Sequence, residues 1–148
     1  MSFSLPLVIG RYLSSCPLSH IVVKFVGEEV SIMSENELTK DAEYMLCALY
    51  KSYLDRRKNG VNKHDAKMFG SSENIHKDFM SEWIFQDVDE TCRELSRAEY
   101  LHNKYADNIA YFIVLSDKAI IYMETRFERK INKIVDYMAK IKNIIPFA

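Results

Sequence analysis

The side chains able to do chemistry are few and scattered. His64, Glu73, His76, Cys92 and His102 are of the types that ligate a metal ion, but their spacings match no familiar ligand set, so no metal site is expected. Cys16, Cys47 and Cys92 are widely spaced and odd in number, which fits neither a disulfide framework nor a Cys-x-x-Cys pair and suits a reducing compartment. Cys92 falls on the apolar side of a predicted helix, where a cysteine serves as small core filling, and no histidine is placed by the sequence to activate it. The chain has no glycine-rich phosphate loop, no His-Glu-x-x-His and no Gly-x-Ser-x-Gly elbow. A protein that is not an enzyme, and that needs no cofactor, is the expectation.

The second available chemistry is phosphate recognition. The formal net charge of −1 gives no global attraction to a polyanion, so any such site must be local. From Arg56 to Lys77, the cations Arg56, Arg57, Lys58, Lys63, Lys67 and Lys77 face only Asp65 and Glu73. From Glu82 to Glu99 the balance reverses, with Glu82, Asp87, Asp89, Glu90, Glu94 and Glu99 against Arg93 and Arg97. An acidic helix between phosphates is electrostatically unfavourable. The two segments therefore point to different partners.

The elements that must position these residues are mainly helical. A chain of 148 residues with 48% hydrophobic and 28% charged content fits one globular domain, and four glycines with three prolines disfavour a turn-rich sandwich or barrel. Thr39 caps a helix carrying Asp41 and Glu43 in its first turn, with Ala42, Met45, Leu46, Leu49, Tyr50, Tyr53 and Leu54 as the core stripe and Asn59-Gly60 as its end. Asn62 caps a short helix through Phe69, ended by Gly70. Residues Glu73 to Met80 fit a helical turn or a loop, and Ser81 caps a helix to about Arg97 with Ile84, Val88, Cys92 and Leu95 buried. Tyr100-Leu101-His102 and Ile109 to Leu115 form a hairpin around Ala106-Asp107-Asn108, with Ile109, Tyr111, Ile113 and Leu115 on one face. Ser116 caps a helix running on towards Asn143, about 27 residues or roughly 40 Å, and Pro146 stops it.

That last segment carries the clearest period. Phe127, Ile131, Ile134, Met138, Ile141 and Ile145 follow one another at steps of four and three, the spacing of a coiled-coil seam. A helix so long outreaches a domain of this size, so the seam is expected to form a homodimer interface.

Residues 1–32 hold two of the three prolines and two of the four glycines and read as a separate extension, with a hairpin of Ile21 to Val26 and Val30 to Ile32. Leu13-Ser14-Ser15-Cys16 is similar to a lipoprotein cleavage box, but no basic residue precedes the apolar Phe3 to Ile9, Pro6 interrupts it and Arg11 follows, so export is not expected. No stretch reaches the roughly 20 apolar residues needed to span a bilayer. Cytoplasmic placement is expected, with no membrane partner.

Helix, short helix, helix, hairpin and long helix, in that order, make a winged helix-turn-helix domain with a C-terminal dimerisation helix. Leu95-Ser96-Arg97-Ala98-Glu99-Tyr100-Leu101, then Leu115-Ser116-Asp117-Lys118-Ala119-Ile120-Ile121-Tyr122-Met123 after the strand, resembles the wing of MarR-like and PadR-like regulators. It is similar also to small phage-associated winged-helix proteins of unknown function from Gram-positive bacteria. Glu99 and Ala119 stand where those families usually carry glycine. The resemblance spans about residues 38–145 and implies a mainly α fold with a small β-hairpin wing (α+β). The expected organisation is an extension over 1–32, a winged helix-turn-helix domain over 33–116 and a dimerisation helix over 117–148. The implied function is a dimeric DNA-binding transcriptional regulator. Lys63, His64, Lys67, Ser71, Ser72 and Lys77 would meet phosphates or base edges of double-stranded DNA. Arg93 and Arg97 lie on the presumed recognition helix, and His102, Asn103, Lys104 and Tyr105 on the wing. A small effector is compatible with the resemblance, but no residue marks its pocket. The alternative is a protein-interaction module that docks through the acidic helix and no longer binds DNA.

Glu28-Glu29-Val30 can be encoded GAG-GAG-GTN, which contains a ribosome-binding sequence two codons before Met33, so the natural start is expected at Met33. Mass spectrometry of the native N-terminus tests this: a chain beginning at Met33 is expected, and an intact Met1 start removes the idea.

Overall fold

In a computed structural model, residues 21–26, 29–34 and 37–145 are described. The chain divides into two compact units, Met1–Glu37 and Leu38–Ala148. In the first, β1 (Ile21–Val26) and β2 (Glu29–Ser34) pair antiparallel, with Ile21 opposite Ser34 and Val26 opposite Glu29. The second strand is longer than expected and includes Met33. The lipoprotein-like segment at Cys16 lies outside the described residues.

The second unit is an α+β fold built around α1 (Lys40–Lys58). Thr39 accepts the Ala42 N–H, as its type predicts, and the helix ends at Asn59 with Gly60 at φ 86°. Met45, Leu46, Leu49 and Tyr50 are almost wholly buried, because the later helices pack on several sides of α1. Next come α2 (Lys63–Ala66), β3 (Met68–Gly70), α3 (Ser72–Phe79) and α4 (Phe85–Arg97). The strands β4 (Leu101–Ala106) and β5 (Ile109–Leu115) form a hairpin, and α5 (Asp117–Phe127) and α6 (Ile131–Lys142) complete the unit. The sheet is antiparallel in the order β3-β5-β4. Among the described residues no helix is long and apolar enough to cross a membrane.

Several local expectations are corrected. The helix after Asn62 stops at Ala66, because Met68 and Gly70 pair with Val114 and Ile113 of β5 and extend the sheet. Gly70, at φ 76°, leaves no room for a Cβ against the Asn74 side chain. Residues Glu73 to Met80 are helical for the most part, within α3, whose cap is Ser71. Ser81 caps nothing: the chain turns through Met80 to Ile84 so that Trp83 can bury and stack on Tyr44 at 5.7 Å, and α4 begins only at Phe85. Ile84 is consequently 54% exposed rather than core.

The hairpin turns through Asp107 and Asn108 at φ 51° and 64°, the pair of left-handed residues that a two-residue turn demands. Pairing passes from Lys104–Phe112 to Tyr105–Ala110, so Tyr111 bulges out. That bulge reverses the alternation, burying Ala110 with Ile113 and Leu115 and turning Tyr111 outward.

The largest correction concerns the C-terminal segment, which is two helices rather than one. Glu128 and Arg129, at φ 53° and 58°, break it. α6 turns back onto α1, and Phe127, Ile134, Ile141 and Ile145 bury in the chain's own core, with Ile131 and Met138 half-buried. A seam of this period is equally what one amphipathic helix needs to pack on its own domain. Truncation Ile134→Ala should therefore destabilise the unit by about 2–4 kcal/mol, measured by urea unfolding. A change near zero would contradict burial of α6 on α1.

Candidate functional site

The residues expected to bind DNA divide into three groups by their contacts. The first group holds the fold. Lys67, its side chain 17% exposed, reaches Asp117 in the first turn of α5 at 3.2 Å, and the exposed Lys63 adds a weak 3.4 Å contact to the same carboxylate. Ser71 accepts the Asn74 N–H as the α3 cap, and Ser72 is wholly buried. Asn103 donates from Nδ2 to the Cys92 carbonyl at 2.9 Å, fixing β4 to α4. The preceding arginines are also committed: Arg56 donates to the Met68 carbonyl at 2.6 Å and covers the Phe69 ring, and Arg57 donates to the Val61 carbonyl. Most of the basic run therefore joins α1 and α2 to their surroundings.

The second group sets the angle between α4 and the hairpin. Asp89 is 8% exposed; its Oδ1 accepts the Ala110 N–H at 3.1 Å and its Oδ2 accepts Arg93 Nε at 3.0 Å. Arg93 also donates to the Asn108 carbonyl at the hairpin turn and lies 4.8 Å over the Tyr105 ring. Burial alone would raise the Asp89 carboxyl, but the Ala110 N–H, the Ser72 hydroxyl and Arg93 outweigh it and hold the group below its ordinary 3.8. The Ser72 hydroxyl has no hydrogen bond of ordinary geometry, yet it lies close enough to favour the charged carboxylate.

The third group faces outward. Gln86, Glu90 and Arg97 stand exposed along α4, at the helical spacing complementary to buried Val88, Cys92 and Leu95. Arg97 pairs with Glu90 at 3.0 Å, both side chains being 64% exposed, a setting in which such a pair contributes about 0–1 kcal/mol. His102 is exposed on β4, and Lys104 lies 5.5 Å over the Phe112 ring. Arg93, Ser96, Arg97 and Tyr105 line a shallow cleft of about 360 Å³ between α4 and the hairpin. Among the described residues Lys77 and Lys104 form no ion pair, and His64 stands exposed on α2, away from any partner set of this cleft.

Most carboxylates of the Glu82–Glu99 segment have a partner, although Glu82, Glu90 and Glu99 stay exposed. Glu82 pairs with Lys142, Asp89 with Arg93, Glu90 with Arg97 and Glu99 with Lys118. Glu94 accepts the Thr39 N–H and hydroxyl, placing a carboxylate at the positive end of α1. Glu99, at φ 65°, adopts the left-handed conformation that glycine takes most readily.

The five possible metal ligands are not brought together. His76 Nε2 lies 2.8 Å from the Trp83 carbonyl, Cys92 packs on Met45, and His102 is exposed elsewhere. Burial pushes the Cys92 thiol up to about 12, as it does Cys47, so neither is a nucleophile at neutral pH. Gln86, Glu90 and the positioning role of Asp89 were missed by sequence reasoning; the 86–90–93–97 spacing, opposite the apolar stripe, is the signal that identifies the outward face. Compared with known protein families, characterised proteins and solved structures, the chain matches none.

Because the folded Asp89 pKa is depressed, its contribution is complete above the unfolded value and disappears as pH falls through the folded one. Asp89→Asn should cost about 1–2 kcal/mol at pH 7, and the gap from wild type should shrink as pH drops below 3.8. Chemical unfolding at stepped pH measures this, and a gap independent of pH would contradict the depressed pKa.

Proposed function

We propose that residues Leu38–Ala148 form a winged helix-turn-helix module that binds double-stranded DNA and serves in transcriptional regulation. The observation that carries the reading is topological. A long helix, a one-turn helix, an edge strand, two further helices and a hairpin, joined in the sheet order β3-β5-β4, leave α4 exposed along one side and held against a two-residue-turn hairpin. Modules of that type insert such a helix in the major groove and lay the hairpin on the backbone.

Charge disposition supports this reading more than the alternative of an acidic docking face. Five of the six carboxylates from Glu82 to Glu99 have partners inside the unit, leaving Asp87 without an ion pair among the described residues. The weak Glu90–Arg97 pair can exchange: a phosphate or a guanine edge offers Arg97 two acceptors in place of one carboxylate oxygen. Gln86 and Arg97 are assigned to base edges, and Lys77, His102 and Lys104 to phosphates. Lys67, largely covered, is assigned to the fold through Asp117, and Lys63, whose pair is exposed and weak, to phosphates.

Fluorescence anisotropy with a labelled mixed-sequence duplex tests the proposal. Binding should be strongest at about 50 mM salt and weaken steeply by about 200 mM. Arg97→Ala should weaken it roughly tenfold, and Glu90→Ala, which frees Arg97, should strengthen it several-fold. No binding at the low-salt end would sink the DNA reading and leave the protein-interaction module.

A further inference from the structure

The corner between α5 and α6 is built against the preference of its own residues. Glu128, Arg129 and Lys130 are all good helix formers, yet Glu128 and Arg129 hold φ at 53° and 58° without a glycine or asparagine to ease it. Lys130 opens α6 with no side-chain cap. The Glu128 N–H bond to the Glu124 carbonyl and the exposed Arg129–Glu124 pair shape the corner locally, and docking of α6 on α1 and on the segment before α4 holds it closed. Ile134, Ile141 and Ile145 are buried, the Tyr137 hydroxyl donates to Glu43 Oε2 at 2.6 Å, and Lys142 meets Glu82 at 2.9 Å.

We propose that this corner is a hinge and that two copies of the chain exchange α6. In the exchanged dimer Glu128 and Arg129 become helical, α5 and α6 fuse into one helix of about 26 residues, ~39 Å long, and α6 docks on α1 of the second copy. The partner is a second copy because only its α1 offers the surface that α6 already fits. Every α6–α1 contact is kept, while two strained residues per chain relax. The apolar period also runs through the corner without a phase break, from Phe127 to Ile131 to Ile134, so the straightened helix keeps one apolar face. A short, strained connection between two well-packed elements is the setting that favours exchange.

The test uses the full chain without DNA, so its outcome is separate from the DNA reading. Glu82→Cys and Lys142→Cys are introduced with Cys16→Ser, and a short bis-maleimide joins the new thiols, whose positions are exposed and only weakly paired. Light scattering is expected to give a two-chain mass, and a denaturing gel a two-chain covalent product. Glu128→Gly with Arg129→Gly in the otherwise wild-type chain should raise the dimer dissociation constant at least roughly tenfold, since glycine accepts the closed corner. A one-chain mass, a link confined to single chains, or a dissociation constant unchanged by the glycines would each overturn the exchange.

Discussion

One buried carboxylate determines how the exposed helix and the hairpin face the solvent together. Asp89 stands on α4, but its Oδ1 accepts the Ala110 N–H of β5, and its Oδ2 fixes Arg93. Arg93 in turn reaches the hairpin turn at Asn108 and covers Tyr105. The contact with Ala110 is possible only because Tyr111 bulges and lets Ala110 face inward. Helix, strand and turn therefore form one rigid corner. Without it, the outward residues of α4 and those of β4 would have no fixed separation, and a duplex could not be met by both at once.

Charge in this chain is used mostly for internal joinery. Lys67, at the end of α2, pairs with Asp117 of α5, Lys118 donates to the Ala98 carbonyl and pairs with Glu99, and Arg126 joins α5 to Glu43 while lying 4.3 Å over the Tyr137 ring. Glu43, despite burial that would raise it, is kept below the ordinary carboxylate range by Lys40, Tyr137 and Arg126. Among the described residues of the second unit this pairing leaves Lys58, Lys77, Lys104 and Lys140 as the lysines without an ion pair. The residues proposed to meet DNA are those whose pairs are exposed and weak, or absent among the described residues, and they are few.

Helix starts governed by contacts within four residues were readable from the sequence. Thr39, Asn62 and Ser116 each accept a backbone N–H three residues ahead. The apolar stripe of α1 was equally plain, since 3.6-residue periodicity needs no distant partner. What could not be read depends on distant pairing. Strand β3 exists because β5, more than 40 residues later, supplies its hydrogen bonds. Ser81 resembled a cap more than Ile84 did, but burial of Trp83 against Tyr44 set the turn. Glu128 and Arg129 give no sign of a corner by their type, for both favour helix, and the corner goes with the docking of α6 on the distant α1. Of the candidate site, Arg97, His102 and Lys104 were legible as exposed polar positions. Lys67, Arg93 and Asn103 were not recognised as structural, because Asp117, Asn108 and the Cys92 carbonyl lie at sequence separations that no pattern links to them.

The proposed function requires that α4 and the hairpin act as one nucleic-acid-facing surface. Backbone amide shifts of the isotope-labelled chain, followed by NMR as duplex DNA is added at low salt, measure this most directly. The largest changes are predicted at Gln86, Glu90, Arg97 and Lys104, with the amides of α6 nearly still. Changes centred on α2 or α6, or none at all, would contradict it.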